Sequence, residues 1–421
     1  MDEIHDKVEN DAIPHMGRRD KKEDSHDNAR QNISSVSWSI LVSITHFFDA
    51  TSLLAFRSTC KSLCRQVDNA VYKGMHNPRR IWKWTDDIDI LSTQFMQAWI
   101  WKLVLSRHAT HATFGTLLQC SSLISLNMNN CKKIDFTDAS WTALSICPSL
   151  YSLDITGCTQ PSVNDAAFVT LSKSASLRRL VMAGCSQSYI SDAAFDSLSG
   201  SKIQSLDMAS CFQLNITDEA FVSLSNSPLS YLKMNWCTQR SISDAAFDAL
   251  SRSSTLQMLY ICGCNQIGIT GAAVESLSKS TTLTYLDMSH CSNSTITDAT
   301  FIALSKSSAL SSLIMNFCFQ NTITDAAFVA LAKSSSLTTL NMSSCTQIGI
   351  SDAAFIALAS SESLTHLDMS CYNPRAITDT SLIALLESPS LRSLCMVVSG
   401  QYTLSNAVLS AIDASSVRII N

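Results

Sequence analysis

The sequence predicts an α/β solenoid, in which short parallel strands line one face of a stack and helices line the other. The first observation is a cysteine that recurs every 26 or 27 residues, and a fixed period of this length is typical of repeat architectures. The second is that each cysteine ends a segment close to L-x-x-L-x-M-x-x-C and precedes one close to I-[ST]-D-A-A-F-x-A-L-S. The recurring cysteines are Cys131, Cys158, Cys185, Cys211, Cys237, Cys264, Cys291, Cys318, Cys345 and Cys371.

Each repeat unit reads as one strand followed by one helix. Leu340 and Met342 alternate with polar residues, which predicts a short strand with one buried edge. Thr324 before Asp325 predicts a helix N-cap, with the carboxylate in the first turn where the helix dipole favours an anion. Phe328 then lies at helical spacing on the buried side. One such unit cannot bury its apolar face alone, whereas stacked copies can.

Two polar residue types recur inside the repeats. We expect the cysteine to be a buried thiol at the strand end whose S–H bonds a loop carbonyl, because zinc would need ligands closer together than 26 residues. We also expect the recurring glutamine to form a structural ladder along one rim, with its amide bonding loop carbonyls. These glutamines are Gln160, Gln187, Gln213, Gln239, Gln266, Gln320 and Gln347.

Composition limits the classes of function. The chain has 421 residues, 46% of them hydrophobic, and a formal net charge of −5, which argues against a general binder of nucleic acid or of an anionic membrane. The first thirty residues carry charges of both signs and lack the apolar core of a secretory signal. We therefore expect reduced cysteines and a cytoplasmic or nuclear protein.

From about residue 117 to 412 the chain resembles the cysteine-containing subclass of leucine-rich repeats, in about eleven copies. The resemblance implies a right-handed, curved solenoid with parallel strands on the concave face and helices on the convex face. The unit that starts at Leu391 has Val398 and Ser399 near the expected cysteine, so residues 391–421 are expected to form the C-terminal capping repeat and tail.

Residues 36–67 precede the repeats and resemble an F-box. The matches include Phe48-Asp49 and Cys60-Lys61, whereas Val36-Ser37 replaces the usual Leu-Pro pair. The resemblance implies docking to a Skp-type adaptor and a cullin through Ile40, Leu41, Ile44, Phe47, Phe48 and Leu53. The alternative is that this segment is only the helical cap that a repeat array needs.

The expected domain organisation follows from these segments. Residues 1–33 form a disordered charged tail, and residues 34–70 form the F-box-like helical domain. Residues 71–116 form a linker, an N-terminal cap or degenerate repeats. No catalytic constellation, phosphate-binding loop or compact set of metal ligands stands out in the sequence, so we expect neither an enzyme nor a cofactor.

The candidate binding surface lies on the concave face, where alternate strand residues point away from the core. The central repeats carry large or charged residues at these positions, whereas the flanking repeats carry small or polar ones. Such clustering is typical of a protein-binding hot spot; the alternative is that the rings fold against their neighbours and only shield the strands. The candidate residues are Tyr231, Lys233, Trp236, Met258, Tyr260, Tyr285, Asp287, His290 and Phe317.

The sequence thus predicts a protein-binding scaffold. The F-box resemblance implies the substrate-recognition subunit of an SCF-type (cullin–RING) ubiquitin ligase, which would hold a protein substrate on its concave face and perform no chemistry itself. The alternative is a ligase-independent interaction or assembly scaffold. A receptor for a small ligand would need a deep pocket between loops, and no long insertion interrupts the repeats to build one.

Overall fold

The computed structural model describes residues 123–132, 134, 136–345, 347–370, 377–396 and 404–420, together with the backbone of residues 82–83 and 102–104. All of them belong to one compact unit, Ile81–Asn421. The F-box-like segment, including the six residues expected to bind an adaptor, lies outside the described residues.

The architecture is a single parallel sheet whose strands follow one another in chain order, with a helix in each connection from the third strand onward. The sheet has 14 strands in the order β1 to β14. They are β1 Trp82–Lys83, β2 Lys102–Val104, β3 Ser125–Asn127, β4 Ser152–Asp154, β5 Arg179–Val181, β6 Ser205–Asp207, β7 Tyr231–Lys233, β8 Met258–Tyr260, β9 Tyr285–Asp287, β10 Ser312–Ile314, β11 Thr339–Asn341, β12 His366–Asp368, β13 Ser393–Cys395 and β14 Arg418–Ile420.

The helices are short and follow the sheet in the same order. In the described part of the chain they are α1 Asp138–Ile146, α2 Asp165–Ser172, α3 Asp192–Ser199, α4 Asp218–Ser225, α5 Asp244–Ser251, α6 Gly271–Leu277, α7 Asp298–Leu304, α8 Asp325–Leu331, α9 Asp352–Ala359, α10 Asp379–Leu386 and α11 Asn406–Ala414. Most begin after a Ser or Thr whose side chain accepts a hydrogen bond from the first turn, as Thr324 does from Ala326 N, which confirms the predicted caps.

Throughout the sheet, each strand residue pairs with the residue at the same position of the neighbouring repeat. Leu286 pairs with Leu313, and Leu313 pairs with Leu340, so each position of the repeat forms a column along the solenoid. The sheet also extends past the regular repeats at both ends. Strands β1 and β2 come from the segment 71–116, and β14 follows the predicted last repeat.

The core consists of these columns. One column holds the helix phenylalanines, of which Phe301, Phe328 and Phe355 are fully buried. Burial of a side chain of this size contributes about 1.5–3 kcal/mol. Val274 occupies the column in α6 and is also buried.

The recurring cysteines tie each repeat to the one before it, which confirms the predicted role of the thiol. Cys158 Sγ donates to Met128 O at 3.2 Å, and Cys264 Sγ donates to Met234 O at 3.0 Å. Burial raises the pKa of the Cys158 thiol from 9.0 to about 12. No disulfide bond joins any of the cysteines within the described repeats.

The glutamine ladder has the predicted form along part of the solenoid. Gln213 Nε2 donates to Cys185 O at 2.6 Å, and Gln347 Nε2 donates to Cys318 O at 2.6 Å. The amide nitrogens of Gln239 and Gln266, both buried in the middle of the array, do not make this bond.

The aspartate at the start of seven of the described helices does more than the sequence predicts. Asp325 Oδ1 accepts from Ser351 N at 2.7 Å, and Asp325 Oδ2 accepts from Ser351 Oγ at 2.6 Å. The carboxylate therefore accepts hydrogen bonds from the N-cap residue of the next repeat, in addition to stabilising its own helix. The same pair of bonds joins Asp165 to Ser191, Asp192 to Thr217, Asp218 to Ser243, Asp244 to Thr270, Asp298 to Thr324 and Asp352 to Thr378.

Within the run from α2 to α10, this aspartate ladder is interrupted at one junction, between α6 and α7. Gly271 replaces the aspartate, and Asn293 replaces the ladder glutamine and donates to Ile269 O at 2.6 Å. The two changes fit together, because a Cβ at Gly271 would lie 2.5 Å from Thr295 O. The loop of the next repeat thus occupies the space that the carboxylate fills elsewhere.

We predict that Asp325→Ala lowers the free energy of unfolding by about 2–3 kcal/mol, because two hydrogen bonds to a charged group are lost and the Ser351 amide loses its acceptor. Asp138 is the matched control: it holds the same helix position, but no bond joins it to Asn164, the described cap of the next helix. Asp138→Ala should cost only its dipole contribution, at most about 1 kcal/mol. Urea unfolding followed by circular dichroism measures both, and equal losses would contradict the ladder.

Candidate functional site

The residue before each recurring cysteine from Cys131 to Cys345 adopts a left-handed backbone conformation. Its N–H bonds a carbonyl of the next repeat, as Trp236 N does to Cys262 O at 2.7 Å. Glycine tolerates this conformation because it has no Cβ, and asparagine adopts it more readily than most residues. The residues in this column, with φ between +54° and +69°, are Asn130, Gly157, Gly184, Ser210, Trp236, Gly263, His290, Phe317 and Ser344.

Three central members of this column are bulky rings: Trp236, His290 and Phe317. A non-glycine residue in this region costs of order 1–3 kcal/mol. Glycine, serine or asparagine serves the same turn in the other repeats, so the fold does not require a ring here. A local cost that the fold does not need is typical of a functional site.

The three rings form a continuous row of contacts along the solenoid, which we call the ring stack, with the Trp236 plane tilted 48° from that of His290. The ring centroids of Trp236 and His290 lie 5.3 Å apart, and those of His290 and Phe317 lie 4.5 Å apart with the planes only 12° from parallel. Gly263 lies between Trp236 and His290 in the column and makes the stack possible. A Cβ on Gly263 would meet the Trp236 indole at 2.3 Å.

A second row of rings runs beside the stack. Tyr231 and Tyr260 have ring centroids 5.1 Å apart, and Tyr260 and Tyr285 have centroids 4.8 Å apart. Burial raises the pKa of all three phenols above the ordinary value of 10.0. The three hydroxyls therefore stay protonated at neutral pH and can donate hydrogen bonds. We call these six residues, Tyr231, Trp236, Tyr260, Tyr285, His290 and Phe317, the aromatic patch.

The other three candidate residues lie among the rings and have partners within the fold. Lys233 Nζ lies 3.4 Å from Asp207 Oδ2. Asp287 Oδ1 accepts from Ser289 N at 3.0 Å and so caps the turn after its strand. Met258 is half-buried and pairs in register with Tyr231 on one side and Tyr285 on the other. The structure thus brings all nine candidate residues together on strands β7 to β10 or in the turns after them.

Exposure differs within the patch. Trp236 is 47% exposed and Phe317 is 40% exposed, whereas the tyrosines are half-buried. The rings do fold against one another, as the alternative interpretation requires, but the two ends of the stack remain open to solvent. Packing between rings orders the surface and leaves apolar area for contact.

Two members of this surface were not predicted from the sequence. Phe319 is 49% exposed and meets the edge of Phe317, with ring centroids 6.4 Å apart. It follows the cysteine instead of preceding it, and strand periodicity does not reach that position. Gly263 was also missed, although glycines at the same position in two earlier repeats mark a backbone that favours them.

The described residues contain neither a candidate metal site nor a candidate membrane-spanning helix. No three His, Cys, Asp or Glu side chains in that part of the chain group closely enough to hold a metal ion. None of the helices described there is both long and apolar enough to cross a membrane.

Comparison with known proteins agrees with the geometry. A family model described as a leucine-rich repeat matches residues 279–292. A chain in the crystal structure of the yeast Rad7–Elc1 complex superimposes with a TM-score of 0.50 and 17% identity, over 95% of this chain and 98% of that one. The fold is a leucine-rich-repeat solenoid.

Other leucine-rich-repeat structures are less similar. An internalin from Listeria monocytogenes superimposes with a TM-score of 0.46 and 18% identity, over 76% of this chain and 78% of that one. The Drosophila Toll–Spätzle complex gives 0.48 and 16% identity, over 77% of this chain and 39% of that one. No curated protein matches the sequence. Identities this low establish the fold alone.

We predict that Gly263→Ala disrupts the ring stack. The added Cβ forces the Trp236 indole away from His290, in addition to the cost of a left-handed alanine. Gly184→Ala is the matched control, because Gly184 has nearly the same φ but no atom closer than 4.0 Å to its added Cβ. Only Gly263→Ala should shift the Trp236 indole resonance and the near-ultraviolet circular dichroism. Identical spectra for the two variants would contradict the stack.

Proposed function

We propose that this leucine-rich-repeat solenoid is a non-catalytic receptor that holds a protein partner on its aromatic patch. The observation that carries the proposal is the placement of Trp236, His290 and Phe317 in left-handed positions, with a glycine left between them for the indole. A conformational cost that the turns do not require is understandable if the rings serve binding.

The composition of the patch supports a protein as the ligand. Aromatic side chains dominate binding hot spots because they bury a large apolar area with few rotatable bonds. Here neighbouring rings already fix one another, so little conformational entropy remains to be lost on binding. Phenol hydroxyls among the rings supply hydrogen bonds for orientation.

We further propose that the receptor serves an SCF-type ubiquitin ligase, with residues 34–70 docking a Skp-type adaptor and its cullin. This step rests on the resemblance of residues 36–67 to an F-box, with Ile44 and Phe48 as its central apolar positions. The similar yeast structure is itself that of a complex, between Rad7 and Elc1. The chain would position a substrate in the cytoplasm or nucleus, and the transfer chemistry would belong to its partners.

Two substitutions test the patch. Trp236→Gly and Phe317→Ser place residues that occupy the same column in other repeats, so the backbone should hold its shape. Each change should raise the dissociation constant of a captured partner at least tenfold, and the double variant should abolish capture. The reason is that truncation of a hot-spot residue costs about 2 kcal/mol or more of binding free energy. Quantitative mass spectrometry of co-purified proteins identifies the partner, and calorimetry with the purified partner gives the dissociation constant.

The control for this experiment is Phe212→Ala. Phe212 is 49% exposed, as open as Trp236, but it makes no ring contact with the patch. Its removal should leave capture unchanged. A partner that survives the double variant, or one that Phe212→Ala releases equally, would count against the patch as the binding site.

Another two substitutions test the N-terminal segment. An Ile44→Asp/Phe48→Asp double variant should lose a Skp-type adaptor and cullin that the unaltered chain co-purifies, because buried charge disrupts an apolar helical interface. Capture through the aromatic patch should persist in this variant. If neither adaptor nor cullin is recovered with the unaltered chain, the ligase assignment falls and a ligase-independent scaffold remains.

A further inference from the structure

A single carboxylate lies at the centre of the aromatic patch. Asp287 ends strand β9, lies in register beside Tyr260 on β8 and follows Tyr285 by two residues on the same face of the strand. His290, in the middle of the ring stack, comes three residues later. Asp287 is therefore surrounded by members of both aromatic rows.

This charge is not neutralised within the described residues. The nearest cation of the patch, Lys233, lies 3.4 Å from Asp207 and is matched by that carboxylate. Arg179 lies on β5, four strands from β9, which is about 19 Å at the usual spacing of strands. Asp287 has no ion-pair partner within 4 Å in the part of the chain that the structure describes.

The hydrogen bond that Asp287 makes leaves most of its capacity unused. Oδ1 accepts from Ser289 N at 3.0 Å, whereas an ionised carboxylate has about four acceptor positions. A carboxylate that lies next to aromatic side chains suits a cation that can form an ion pair with the carboxylate and stack on the rings. Arginine does this best, because its guanidinium is planar, binds carboxylates through two N–H groups and stacks on aromatic rings.

We propose that the aromatic patch recognises an extended segment of a partner protein through one arginine, with its guanidinium on Asp287 between the two aromatic rows. This inference rests on the proposed function of the patch and names the chemistry of its ligand. The patch spans four strands, about 14 Å, which is about four residues of extended chain. Trp236 follows β7, two strands from Asp287, and Phe317 follows β10, one strand away. An apolar side chain about three residues to one side of the arginine then lies over Trp236, and another about one or two residues to the other side lies over Phe317.

The repeats supply a matched pair of variants for the test. Asp368 ends strand β12 at the same repeat position and makes the same turn bond, since its Oδ1 accepts from Ser370 N at 3.0 Å, but none of the ring contacts of the patch involves its repeat. Asparagine already occupies this position in another repeat and makes the same bond, since Asn341 Oδ1 accepts from Ser343 N at 3.0 Å. Asp287→Asn and Asp368→Asn should therefore fold equally well and differ only in the charge lost from the patch.

The experiment pans a random heptapeptide phage library against the full chain and its variants. The unaltered chain and Asp368→Asn should enrich heptapeptides with one central arginine flanked by apolar residues, and Asp287→Asn should not. The best synthetic heptapeptide should bind Asp287→Asn at least tenfold more weakly. An analogue with citrulline in place of arginine keeps the shape without the charge. It should bind the unaltered chain more weakly than the arginine heptapeptide by a similar factor, and the two heptapeptides should bind Asp287→Asn with nearly equal affinity.

Four outcomes would overturn the inference. Enriched heptapeptides that depend on Trp236 but carry no basic residue would support the proposed function and contradict recognition of an arginine. Equal binding by the two Asp→Asn variants would do the same. The charged N-terminal tail contains two adjacent arginines, Arg18 and Arg19. Tighter heptapeptide binding after Arg18→Gln/Arg19→Gln would assign the site to this tail. If no heptapeptide depends on Trp236, the proposed function fails as well.

Discussion

The contact between one repeat and the next is the interaction on which the rest of the structure depends. A strand of three residues and a helix of seven to nine residues expose too much backbone and apolar surface to persist alone. Stacking satisfies the strand through its neighbours and buries the phenylalanine column. The polar tethers then fix the register, because the thiol of Cys158, the amide of Gln213 and the carboxylate of Asp325 each reach a group 26 to 30 residues away in sequence.

The sequence predicted those parts of the fold that repeat and whose physical role is local. The cap formed by Thr324 and the buried Phe328 follow from helix chemistry, and the bond of Cys158 follows from a small apolar donor at a strand end. The second role of Asp325 was not predicted. The dipole of its own helix already accounted for the carboxylate, and nothing in one repeat reveals how close the next N-cap lies.

The candidate site was predicted in position but not in its internal order. Strand alternation placed Tyr231, Tyr260 and Tyr285 on one face, and they lie together there. It could not show that Trp236 leans across Gly263 to meet His290, because that depends on the left-handed turn and on the distance between repeats. Nor could it show that Asp287 caps a turn while Lys233 pairs with Asp207, since both bonds depend on side-chain geometry.

The interruption at Gly271 makes the cohesion of the solenoid uneven along its length. In a linear array each interface contributes its own term to cooperativity, and domains of cooperative unfolding break where that term is smallest. At the α6–α7 junction the carboxylate pair is missing and the glutamine rung is replaced by Asn293. The ring stack crosses this same junction where Trp236 meets His290 across Gly263. A partner bound across the aromatic patch would therefore also bridge a joint that lacks the carboxylate pair, and binding would then be thermodynamically linked to the cohesion of the two halves.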